Sequence, residues 1–127
     1  SFNYGNIHFT MISPAPGADT LDQERIRWLE KDLRQKNAVR IVITPRPFIT
    51  PEQVKKGLDA YTEQLESILV STGVNVVISS GDSPQFSLLE KGIQHINLPA
   101  AMVRKDAPMS FWIINYADGA ITFRGRR

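Results

Sequence analysis

The sequence contains no cysteine. That absence removes disulfide frameworks, thiolate zinc sites and cysteine nucleophiles from consideration. No apolar run approaches the roughly 20 residues a membrane-spanning helix requires, so no membrane span is expected. The N-terminus carries no signal-peptide pattern, and the chain opens at Ser1 straight into a strand-like run, as an excised or processed piece would. There is no internal repeat and no low-complexity linker. Gly-x-Gly-x-x-Gly, the P-loop and the Gly-x-Ser-x-Gly elbow are all missing, so nucleotide binding and serine hydrolysis have no motif support. Charge of one sign is also lacking: 15 lysines and arginines stand against 13 acidic residues. Only Arg124-Gly125-Arg126-Arg127 is locally basic. A solvated tail accounts for it, and nucleic acid is not favoured as a partner.

What is present fits one domain over residues 1–127. Its 42% hydrophobic and 22% charged content is that of a globular chain, and 127 residues can bury a sizeable core. From Asn6 to Ile12, Ile7, Phe9 and Met11 alternate with His8 and Thr10, which predicts a strand with one buried face. Thr20-Leu21-Asp22-Gln23 has capping-box spacing ahead of Ile26, Leu29 and Leu33, which predicts a helix closed by Arg34 and Lys36. Val39–Ile43 predicts a buried strand ending at Thr44-Pro45-Arg46-Pro47. Thr50-Pro51-Glu52-Gln53 opens a second helix that runs through Val54, Leu58, Tyr61, Leu65 and Ile68 to Gly73, with a bend possible at Gly57. Strands follow at Val74–Ser79 and Ile93–Leu98, with a short helical turn expected between them over Phe86–Lys91. Phe111–Tyr116 and Ala120–Arg124 flank Asp118-Gly119 as a hairpin. The order predicts a layered α/β domain, three-layer or sandwich-like, with flanking helices and a C-terminal β-hairpin at one edge of the sheet.

Ligands in such sheets sit where loops leave the carboxyl ends of strands. If the second and third predicted strands are neighbours, Thr44, Arg46, Asp82 and Ser83 share one crevice. A small-anion site with Arg46 as bidentate donor is one reading. Turn chemistry alone also accounts for these residue types. Neither His8 nor His95 has a partner at metal-ligand spacing, and each reads as a strand residue bonded to backbone or water. Trp28 and Trp112 read as packing residues.

Taken together, the segments resemble the C-terminal half of the calcineurin-like metallophosphoesterase family, which includes the purple acid phosphatases. Ser1-Phe2-Asn3-Tyr4-Gly5-Asn6-Ile7-His8-Phe9 resembles the family's S-F-D-Y-G-N-V-H-F strand. Gln23 to Leu33, with Trp28-Leu29-Glu30-Lys31-Asp32-Leu33, resembles its Q-x-x-W-L-E-x-D-L helix. Gly73-Val74-Asn75-Val76-Val77-Ile78-Ser79 resembles G-V-D-L-V-L-S, which in the family runs into Gly-His-x-His. Ile41 to Pro47 stands where the family has a strand ending in Ser-His-His-Pro. The resemblance implies a two-metal phosphoesterase, but the metal-binding histidines it calls for fall on Pro45, Gly81 and Ser83, or on Asp82 and Pro84 with one residue slipped. None of these is an imidazole, and together they cannot replace three nitrogen ligands. No metal, cofactor or catalytic residue is therefore expected from this chain. Three readings follow: a degenerate, non-catalytic domain with a structural or binding role; a fragment of a metal-dependent phosphoesterase completed by a missing N-terminal half or partner chain; and a phosphate or anion binder using Arg46. A half-fold of this kind leaves a sheet face or edge uncovered. An N-terminal metallophosphoesterase half or self-association is the expected partner.

Overall fold

The computed structural model describes residues 1–35, 39–80, 85–98, 111–117 and 120–126. The chain forms a mixed α/β fold. A six-stranded sheet holds β1 (Phe2–Tyr4), β2 (Ile7–Met11), β3 (Val39–Thr44), β4 (Val76–Ser79), β5 (Phe86–Glu90) and β6 (Ile93–Asn97) in the order β1-β2-β3-β4-β6-β5. The central four strands are parallel, and β1 and β5 close the edges antiparallel. Three helices, α1 (Gln23–Leu33), α2 (Pro51–Lys56) and α3 (Ala60–Ser71), lie in the crossovers between parallel strands, and a separate hairpin joins β7 (Phe111–Ala117) to β8 (Ala120–Arg126).

The main core lies between the helices and one sheet face. Ile26, Leu29 and Leu33 of α1 meet Leu65, Ile68 and Leu69 of α3 over Val42 and Val77. Their spacing of three and four residues makes one apolar stripe on each helix. The opposite face carries Val39, Ile41, Val76 and Ile96, all buried, with Ile7, Phe9, Ile43, Ile78 and Leu98 half-buried around them. Parallel strands apolar on both sides account for the unbroken Ile-Val-Ile run of β3.

Four expectations need correction. The first helix starts two residues later than its apparent capping box: Asp22, not Thr20, is the N-cap, and its carboxylate accepts from the Arg25 amide at 2.8 Å. The second helix is two. Gly57 at φ 95° leaves helical geometry, and Asp59 then caps α3 through the Thr62 amide. Phe86–Glu90 is a strand rather than a helical turn. Lys91 and Gly92 both have positive φ, 49° and 81°, which folds β5 back onto β6 in a two-residue turn. The β7–β8 pair does not extend the sheet, whose edges are β1 and β5, and forms its own two-stranded ladder. Asp118 and Gly119, proposed as the hairpin turn, lie outside the described residues, as does Lys36.

The first strand inverts the expected faces. His8 and Thr10 are buried against the helices, while Met11 is 53% exposed on the other side. The reason is Asp32, which stands on the inward face of α1 between Leu29 and Leu33 and supplies the buried polar groups with an acceptor.

Candidate functional site

The carboxyl ends of β3 and β4 are neighbours, with Thr44 in register with Ser79. Thr44 is 3% exposed and its side chain lies on the helix side of the sheet. Arg46 stands beyond it on the surface, where its Nη1 donates to Asp19 Oδ1 at 2.8 Å. Both residues line one cleft between the loop after β2 and the corner joining α2 to α3. Leu21 and Phe48, both buried, form its apolar floor, and Asp19, Arg46 and Asp59 stand at its rim. Asp82, Ser83 and the family ligand position Gly81 lie outside the described residues, as does Pro84.

The cleft's polar groups are partly committed. Tyr61 Oη accepts from the Leu21 amide at 2.8 Å, and burial pushes its phenol above the ordinary value. Asp59 accepts from the backbone of Thr62, a bond that holds its carboxyl below the usual carboxylate range. The cleft therefore carries one guanidinium and two carboxylates, Asp19 and Asp59. A phosphate brought to Arg46 would meet net negative charge.

A second, shallower depression runs across the crest of β2, β3 and β4. It is lined by Met11, Ser13, Ile43, Thr44, Pro45 and Ser80, so its polar side chains are hydroxyls. Pro45, which stands at one metal-ligand position of the resembled family, contributes a saturated ring there. Among the described residues, no group of three or more His, Cys, Asp or Glu side chains converges as a metal shell would.

Both histidines are buried, but for different ends. His8 Nε2 lies 2.9 Å from Asp32 Oδ2 and its Nδ1 lies 2.6 Å from Asn3 Oδ1. Thr10 and Ser1 also donate to Asp32, at 2.6 and 2.7 Å. Burial raises the Asp32 carboxyl, and these donors outweigh it, so its pKa ends below the ordinary value. The carboxylate ties β1, β2 and α1 together, and the partners of His8 are side chains rather than backbone or water. Sequence reading missed this network. Its one signal was Asp32 itself, an acid on the apolar stripe of a helix.

His95 is 3% exposed, and neither ring nitrogen has a hydrogen-bond partner among the described residues. Burial pushes its imidazole down to about 4, against a smaller opposing pull from Glu66. Glu66 is buried on α3, with Oε1 held by Lys91 Nζ at 2.6 Å and Oε2 unpartnered. Trp28, expected as a packing residue, is 44% exposed on α1, because Ile26, Leu29 and Leu33 turn the opposite face inward. The side chain of Trp112 lies outside the description. No protein-family model matches the chain, and no curated protein matches it.

Proposed function

We propose that this chain is a degenerate, non-catalytic metallophosphoesterase-like half-fold whose role is structural: it packs its second sheet face against a complementary β-layer of the kind the family's N-terminal half provides. One observation carries the reading. Four of the chain's exposed large apolar side chains, Phe2, Tyr4, Met11 and Leu89, lie on the sheet face turned away from the helices. They flank the half-buried Ile7, Phe9, Ile43 and Ile78 around the buried Val39, Ile41, Val76 and Ile96, with Gln94 and Ser87 as polar positions beside Leu89. Phe2 already stacks on Phe9 at 4.9 Å between ring centroids. At about 25 cal/mol per Å² of apolar surface, covering the exposed Phe2, Tyr4, Met11 and Leu89 yields a few kcal/mol toward layer-on-layer packing.

The hydroxyl-lined crest supports the non-catalytic half of the reading. Thr44, Ser13 and Ser80 are weak donors for zinc, iron or manganese, and Pro45 is none at all. The resemblance across the Trp28-Leu29-Glu30 helix supports the family. The anion-binder alternative is weakened by the two carboxylates, Asp19 and Asp59, that share the cleft with Arg46.

Metal analysis and sedimentation test the reading together. The purified chain, incubated with manganese and zinc and then desalted, is expected to retain less than a stoichiometric metal and to leave p-nitrophenyl phosphate unhydrolysed. At rising concentration it is expected to self-associate through the exposed apolar side chains of that face. Bound metal with turnover would instead establish a hydrolase fragment. A monomer at all concentrations that binds no hydrophobic dye would remove the packing role.

A further inference from the structure

We propose that the cleft beside Thr44 is a binding site for a small zwitterion, an α-amino acid or a molecule with the same ammonium–carboxylate spacing. This inference is independent of the packing role, since the cleft opens on the helix side of the sheet.

Size sets the first limit. The cleft encloses about 170 Å³, below the roughly 300–1,000 Å³ of sites that take drug-sized ligands. At about 30 Å³ per water molecule it exchanges a handful of waters for one small solute.

Charge sets the second. Arg46 can offer a planar fork to a carboxylate, and of its nitrogens Nη1 alone is engaged, by Asp19. That ion pair is open to solvent, with Arg46 63% and Asp19 81% exposed, so a carboxylate ligand displaces it at little cost. The displaced Asp19 and the nearby Asp59 then present two carboxylates to an ammonium group. Asp59 uses Oδ1 on the Thr62 amide, which leaves its second oxygen. A lone anion would meet the two acids and a lone cation would leave Arg46 unpaired, whereas a zwitterion pairs with both.

Buried polarity supplies an independent indication. Thr44 is 97% removed from solvent and borders the cleft, and no side chain or backbone group among the described residues is bonded to its hydroxyl, which is not one of the fully buried unpartnered atoms and so reaches the cleft. Such a group in a folded protein calls for a ligand or water. The Tyr61 oxygen accepts the Leu21 amide, which leaves its O–H to donate. These two hydroxyls lie beside the apolar floor of Leu21 and Phe48, which has room for a small aliphatic body.

The test is an amide-resolved NMR titration of the full chain with glycine and L-alanine, run beside acetate, methylammonium and inorganic phosphate. Both amino acids are expected to shift amides of residues 19–21, 46–48 and 59–62 with millimolar affinity, and each control to bind at least about tenfold more weakly. Arg46→Gln and Asp59→Asn are each expected to weaken the amino acids about tenfold. Asparagine keeps the helix cap, so the second variant reads the charge and not the fold. Shifts from methylammonium equal to those from glycine, equal shifts from phosphate, or no shift with either amino acid at about 50 mM would each overturn the proposal.

Discussion

His95 shows how a single buried side chain can make the stability of the chain depend on pH. It is buried without a hydrogen-bond partner among the described residues and stays neutral down to about pH 4, while the same imidazole in an unfolded chain takes up its proton near 6.5. Between those values the unfolded state binds more protons, so acid favours it. Stability from this residue is complete above pH 6.5 and is lost as pH falls through the window toward 4. From pH 7 to pH 5 the expected loss is about 2 kcal/mol. Urea unfolding at those two pH values, on wild type and His95→Leu, isolates the effect: the wild-type loss should exceed that of the variant by this amount. Equal losses in both proteins would mean that the ring is hydrated or bonded in the folded state. The acid limb below pH 4 belongs to other groups, chief among them Asp32, whose carboxylate is held below the ordinary value by its hydrogen bonds with Thr10, His8 and Ser1.

At the level of elements, the helical segments were legible in place, though not in their bounds, and the sheet edges were not. The Thr50 capping box forms as written, because Thr50 and Gln53 exchange bonds through adjacent residues alone. Phe86–Glu90 carries a weaker message. Phe86 and Leu88 alternate with serine and could sit on a short helix or a strand, and only the Lys91-Gly92 pair decides. Both residues occupy left-handed backbone, where glycine is at ease and other residues are strained. Gly92→Ala is therefore expected to cost about 1–2 kcal/mol in equilibrium unfolding. A Cβ there would have nothing within 4 Å, so the cost is one of backbone alone. An unchanged midpoint would show that the turn tolerates another geometry. β2 teaches a related lesson. Period two reveals which residues share a face, but which face receives the helices depends on Asp32, some 20 residues away in sequence. The same limit applies to the site: Thr44 and Arg46 could be placed near one strand end, whereas Asp19, which holds Arg46, belongs to a loop without a pattern.

For the whole molecule, the two faces of the sheet must respond differently to charge. Val42 is fully buried beneath α1 and α3, so a lysine there must desolvate its ammonium inside the main core. Val42→Lys is expected to prevent stable folding, with the loss of helical circular dichroism. Met11 and Leu89 lie on the other face and are 53% and 67% exposed, so lysine at either keeps its charge in water. The double variant Met11→Lys/Leu89→Lys should unfold within about 0.5 kcal/mol of wild type, the ordinary range for exposed positions. Its self-association should nevertheless weaken by about tenfold or more, because two like charges now oppose each apolar contact the face could make. Sedimentation velocity and urea unfolding on the same samples separate these effects. If association is unchanged while stability holds, the copies meet through some other surface, such as the β5 edge, and the apolar face is not where this fold seeks its complement.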